Sequence, residues 1–210
     1  MSGKYLAGML IVASPKLTDS NFNRGVVLML EHGDSGAIGV VLNQPTMTPA
    51  AGAFRGLNGL KGVTAISDPA VVFVGGPVSS KAAIVLGRAA SPDVVDFLDG
   101  ADGEIDSELE GKIRDRPEQS MNYLFNDIYT VDTDHLTDSR LESLRIFLGY
   151  AGWEAGQLED EIASGAWFAV DSLTGDVFTS RPDSLWHDVL FRQGGSLAMV
   201  ANYPLHPRLN

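Results

Sequence analysis

The chain has 210 residues, 44% hydrophobic and 20% charged, with 15 Lys and Arg against 27 Asp and Glu for a formal charge of −12. A domain of this length hides roughly 70% of its unfolded surface and needs no staples, and no stretch reads as a linker, so residues 1–210 are expected to form one domain. The absence of cysteine excludes disulfides, thiolate metal sites and thiol nucleophiles, while the acidic balance disfavours direct nucleic-acid binding and anionic membranes, both of which draw affinity from basic surface.

In chain order, the apolar stretch Leu6–Ala13 is too short to span a membrane and is broken by Pro15. It reads as a strand of an unprocessed, cytoplasmic chain rather than as a signal-peptide core. Gly25–His32 and Ala37–Asn43 are β-branched runs joined by Gly33–Gly36, a hairpin pattern. Both are apolar at nearly every position, which calls for a sheet covered on two faces, as in a barrel-like or sandwiched core.

Residues 46–68 are rich in glycine, proline and threonine and read as a long connection with one helical turn. Val71–Val74 is a further strand ending in the turn Gly75-Gly76-Pro77, and Ala83–Leu86 a short one after it. Eight acids and no base fall within 93–110. Such a run self-repels and serves as a solvated face or loop. The three-residue spacing of Asp93, Asp96, Asp99 and Asp102 also leaves a divalent-ion site open, although it matches no known calcium loop.

Asp127–Val131 and Leu144–Tyr150 read as strands, Gln157–Ala163 as a short amphipathic helix, and Ala166–Val170 and Val177–Thr179 as strands again. Pro182–Phe191 forms a second helix, with proline near its start and Leu185, Trp186, Val189 and Leu190 on one stripe.

Several of these segments carry a recognisable pattern. Ser14-Pro15, Asn21-Phe22-Asn23-Arg24 leading into Val26–His32, Gly36-Ala37, Gly39, Asn43 before Pro45, and Gly75-Gly76-Pro77-Val78 resemble the YqgE/AlgH family of bacterial proteins. The most specific piece is Gly149-Tyr150-Ala151-Gly152-Trp153, then Gln157-Leu158-Glu159 and Ala166-Trp167. The tail from Leu185-Trp186 through Arg192-Gln193-Gly194-Gly195 to Pro207 resembles the actinobacterial branch. The match covers roughly 5–45, 71–86 and 125–210, and the acidic segment near 91–119 departs from it. The resemblance implies an α+β fold whose mixed, largely antiparallel strands make a pseudo-barrel with helices packed around it, in a cytosolic protein. Some members are labelled transcriptional regulators, without a DNA-binding motif attached. The resemblance transfers no catalytic residue and no cofactor.

The hairpin gives the sharpest geometric expectation. If Gly33–Gly36 is the loop, His32 faces Ala37, Val26 faces Asn43 and Arg24 faces Pro45, so Arg24, Val26 and Asn43 share one face at the open end. Arg24 then holds a small anion or carboxylate, Asn43 orients it, and the Gly75-Gly76 turn supplies backbone N–H groups. The bland alternative is that Arg24 ties down loop carbonyls and Asn43 makes a turn. Glu31 and His32 are neighbours on a strand and point to opposite faces, so they form no dyad. His135, His187 and His206 are isolated, and no metal site is expected. Tyr150, Trp153 and Trp167 either line a pocket or fill the core beside Gly149 and Gly152, the second being the commoner use. No nucleophile elbow, Walker loop or dinucleotide fingerprint is present. Three readings follow, in order: a non-catalytic regulatory or interaction protein acting through a protein partner or a small ligand; an enzyme with a cleft near Arg24, Asn43 and Glu31; and a regulator that binds DNA directly.

Overall fold

The computed structural model describes residues 5–53, 65–89, 121–131 and 141–204. Its strands are β1 (Leu10–Ala13), β2 (Val26–Gly33), β3 (Gly36–Val41), β4 (Pro45–Pro49), β5 (Val71–Val74), β6 (Val78–Ala89), β7 (Met121–Phe125), β8 (Ile128–Val131), β9 (Leu141–Glu154) and β10 (Trp167–Val170). Its helices are α1 (Ala50–Ala53), α2 (Gln157–Ala163), α3 (Thr174–Val177), α4 (Leu185–Arg192) and α5 (Gly195–Ala201), with a 3-10 turn at Pro182–Ser184 before α4. The sheet order is β10-β1-β2-β3-β9-β6-β8-β7 with antiparallel neighbours throughout; β5 lies parallel to β9 and pairs with β4. This is the expected mixed α+β class, a curled and largely antiparallel half-barrel with a few helices against it.

Curling follows from irregularities that add twist. Breaks in register fall between Met29 and Glu31 on β2, between Val78 and Ala83 on β6, and between Tyr123 and Phe125 on β7. The curl creates an inner face, where Leu10, Val12, Val26, Leu28, Val40 and Phe147 meet Leu185, Trp186, Val189 and Leu190 of α4. That stripe on α4 is the one the sequence predicts, and burying each of its side chains contributes roughly 1.5–3 kcal/mol. Trp186 Nε1 also donates to Ala13 O at 2.8 Å, pinning α4 to β1. The opposite face of β1–β3 packs under α2, with Ile11, Val27, Met29, Val41, Trp153, Leu158 and Trp167 in contact. Both faces of the hairpin are therefore covered, as its unbroken apolar runs require.

The helix at Gln157–Ala163 matches the sequence expectation residue for residue. Other elements differ. β6 and β9 run to 12 and 14 residues, beyond the apolar cores at Ala83–Leu86 and Leu144–Tyr150, because backbone pairing continues through small and polar residues. Pro45–Pro49 is a strand inside what reads as a connection, held by Val74 N donating to Gln44 O (2.9 Å) and Thr46 Oγ1 donating to Val72 O (2.7 Å). Val177–Thr179 is not a strand. Val177 ends α3, a helical turn set by Asp176, whose carboxylate accepts the N–H of Leu173 at 2.8 Å. α5 is an added helix, entered through Gly194 and Gly195 at positive φ (71° and 51°). The acidic run 93–110, His135 and His206 lie outside the described residues.

Candidate functional site

Of the four residues predicted to bind an anion, Arg24 and Asn43 are bonded to each other, and Gly75 and Gly76 pack against β9. The hairpin pairs His32 with Ala37 as expected, then an extra residue at Leu30 shifts the register, so Met29 faces Gly39 and Val27 faces Val41. Val26 thus takes Leu42 rather than Asn43 as its backbone ladder partner (Leu42 N to Val26 O, 2.8 Å). A β-bulge places two residues opposite one, and alternation alone does not reveal it. Freed from the ladder, the Asn43 amide clamps the hairpin's open end: Oδ1 accepts the N–H of Val26 and Nδ2 donates to Arg24 O, both at 2.9 Å.

Arg24 sits in the left-handed backbone region (φ 53°). Its guanidinium stacks 4.3 Å from the centre of the Trp186 ring and donates to Tyr203 O, and partial burial lowers its pKa. Gly75 accepts from Val41 N at 2.9 Å, and its own N–H is spent on Leu148 O at 2.7 Å, so it is not free for a ligand. A Cβ on Gly75 would lie 2.3 Å from Gly149 O, and one on Gly76 would lie 2.3 Å from the Tyr150 carbonyl. Both glycines let the β5–β6 turn press against β9 at the left-handed Gly149.

The ionisable groups with displaced pKa values are likewise tied into the scaffold. Arg145 is among the largest fully buried side chains of the described residues. It donates to Val177 O and Thr179 O (each 2.9 Å) and to Asp68 O, lies 4.4 Å from the centre of the Phe73 ring, and is held at about 10 by burial. For Asp127, desolvation pulls the pKa up but is outweighed by hydrogen bonds from Thr174 (2.6 Å) and Arg88 (2.5 Å), which leave it below the ordinary value. The same bond raises Arg88. Asp188 is lowered, chiefly by the bond to His187, with Ser184 and Arg181 adding to it. Arg192 grips Asp176. Arg88, Arg181 and Arg192 are thus engaged by carboxylates and Arg24 and Arg145 by carbonyls and rings, while Lys16 and Lys81 have no ion pair among the described residues. Those residues present no basic face.

His32, isolated in sequence, gains a partner from α2: its Nε2 lies 2.8 Å from Glu159 Oε1, and its Nδ1 accepts the N–H of Leu6 at 3.2 Å. Because Nδ1 is an acceptor there, the proton sits on Nε2 and points at Glu159. Two residues on, Glu161 Oε2 accepts from both Trp153 (2.9 Å) and Trp167 (2.8 Å), which makes these indoles buried anchors of α2. The described residues contain no cluster of three or more His, Asp or Glu placed to hold a metal ion.

Open space lies at the other end of the hairpin. Where the curled sheet fails to close, Leu30 and Ile38 face Ile84, Tyr123, Leu124 and Tyr150 across a cleft of 660 Å³. A second cleft of 540 Å³ shares Glu31, Ile38 and Tyr150 with it and continues past Gly152 to Glu154. A third, lined by Glu154, Glu159, Asp160 and Glu161, prolongs the groove over α2. Arg24, Arg88, Asp127, Arg145 and Asp188 all lie outside the linings of the first two. The sequence hides this groove because its walls come from β2, β3, β6, β7, β8 and β9, and only register brings them together. Among the described residues no helix is long and apolar enough to cross a membrane.

Residues 10–198 match the AlgH-like family, and the chain belongs to it. It is 43% identical over 212 residues to a UPF0301 protein of Streptomyces avermitilis, covering 98% of this chain and 95% of that one. It is 35% identical over 207 residues to a UPF0301 protein of Chlorobaculum parvum (97% and 95%). Among solved structures, protein DIP2367 of Corynebacterium diphtheriae shares the fold with a TM-score of 0.74 at 24% identity over 97% of this chain and 95% of that one. The AlgH protein of Pseudomonas aeruginosa aligns with a TM-score of 0.60 at 25% identity, over 98% of each chain.

Proposed function

We propose that this protein is a non-catalytic regulatory or interaction protein whose working surface is the groove at the open mouth of the half-barrel. The observation that carries this reading is the groove itself. It is solvent-open, its walls from Leu30 to Tyr150 are mostly apolar, and Tyr123 among them is half-exposed. An enzyme site gathers ionisable groups with displaced pKa values in a cleft. Here those groups bind backbone carbonyls and one another elsewhere, which supports recognition over catalysis. The described arginines are occupied, which weighs against direct DNA binding.

The test is ligand and partner capture with a groove variant. Tyr123→Ser with Ile38→Asn removes apolar wall without touching a buried anchor. Ligands that raise the parent's melting temperature in a thermal-shift screen, and proteins retained by the immobilised parent, should be lost by this variant. Undiminished binding by the variant places the working surface elsewhere.

A further inference from the structure

Resting on the reading of the groove as a recognition surface, we propose that its occupant is an extended segment of a partner protein that carries basic residues a few positions from apolar ones. Three observations point there. The first is the division of the groove into an apolar half (Leu30, Ile38, Ile84, Leu124) and an acidic half (Glu31, Glu154, then Asp160), with no lysine or arginine lining either. Glu31, Glu154 and Asp160 are exposed, and none has an ion pair among the described residues. Unneutralised carboxylates beside low-dielectric walls attract a cation and repel an anion.

The second is Gly152. Gly149, three residues earlier, has to be glycine: its φ is 71°, and a Cβ there would lie 2.4 Å from Gly76 O. Gly152 has neither constraint. Its φ lies outside the left-handed region, and a Cβ would meet nothing nearer than the Tyr150 ring at 3.5 Å, an ordinary contact. Glycine inside a strand costs roughly 0.5–1 kcal/mol relative to alanine, and where the fold does not require it, it marks close approach of a ligand or another backbone. Gly152 sits between Tyr150 and Glu154 on the same side of β9 and keeps the floor of the groove bare.

The third is length. Tyr150 and Glu154 are four residues apart on one strand, about 13 Å, so an apolar side chain beside Tyr150 and a basic one at Glu154 stand four positions apart in an extended partner. The groove is open along this line rather than enclosed around a small molecule.

The test uses the full chain and fluorescence anisotropy with three labelled, capped octapeptides. Each alternates threonine with Val, Leu and two further residues, which are both Lys, both Ser or both Glu. The Lys peptide should bind saturably and lose affinity with added salt, and the Glu peptide should not bind. Glu31→Gln with Glu154→Gln, and separately Gly152→Val, should each weaken the Lys peptide at least ten-fold. Asp171→Asn with Asp183→Asn, acids outside the groove, should leave it unchanged. The paired Glu→Gln substitutions are on the surface and keep the test open if Gly152→Val fails to fold. Failure of the Lys peptide to bind, equal weakening by the control pair, or parent-like binding by the groove variants overturns the proposal. If the Ser peptide binds as tightly as the Lys peptide and Gly152→Val abolishes both, the recognition groove stands and its preference for basic partners falls. If no peptide binds and Gly152→Val retains every partner captured by the parent, the groove reading falls as well.

Discussion

Replacing Arg145 with methionine removes a charge from the centre of the fold while keeping most of the side chain's length. Burial lowers the guanidinium to about 10, well below the ordinary arginine value, which corresponds to a standing penalty of roughly 3 kcal/mol at neutral pH. Against it stand hydrogen bonds to the carbonyls of Val177, Thr179 and Asp68, worth about 2 kcal/mol each from a charged donor. The stack on Phe73 adds about 1 kcal/mol. Methionine relieves the penalty, forfeits the bonds and leaves neutral carbonyls unpaired, for a net loss of about 4 kcal/mol. Urea unfolding is the assay: with a slope near 2 kcal/mol/M, the midpoint should fall by about 2 M at unchanged slope. Arg145→Lys should lose nearly as much, since a single ammonium cannot span three carbonyls. A midpoint within about 0.3 M of the parent would refute the reasoning, because it would mean that the charge penalty cancels the bonds and that Arg145 does not hold β9 to residues 68 and 177–179.

Gly75→Ala sets a Cβ 2.3 Å from Gly149 O, so β9 or the turn has to move; a loss of about 3 kcal/mol and a drop in melting temperature on the order of 10 °C are expected, and a drop under 2 °C would show the turn to be compliant. Asp127 has a folded pKa below its ordinary value, so its contribution is present above about 3.9 and is lost as pH falls through the lower folded value. Asp127→Asn should therefore cost about 1–2 kcal/mol at pH 7, with the gap to the parent closing below pH 4 in acid-titrated unfolding; a gap that persists at pH 2 would assign the loss to packing. Arg24→Met should cost about 1 kcal/mol through the lost stack on Trp186 and the bond to Tyr203 O, with the fold intact by circular dichroism. The anion reading of Arg24 further expects phosphate binding by the parent in calorimetry and none by the variant, and a parent that binds no phosphate retires it.

What the sequence by itself determined was local and periodic. The apolar runs at Gly25–His32 and Ala37–Asn43, the amphipathic helix Gln157–Ala163 and the Leu185–Leu190 stripe are visible because short-range patterning reports which face is buried. The glycines at 75, 76 and 149, together with the flanking motifs, mark the family. Only the tertiary structure decided the rest. A single extra residue at Leu30 moved Asn43 from a ligand-facing position to a clamp on Arg24 and Val26, and bulges leave no reliable mark in alternation. Arg145 looks like any strand arginine until the curl of the sheet brings residues 68, 177 and 179 to its guanidinium. His32 acquires Glu159 across 127 residues, and Glu161 two indoles, because α2 folds back over the sheet. The groove depends most on the tertiary structure: its walls come from six strands, and its acidic and apolar halves meet only because the half-barrel stays open between β2–β3 and β6–β8. Contacts between residues distant in sequence are set by register and closure, which no local pattern encodes.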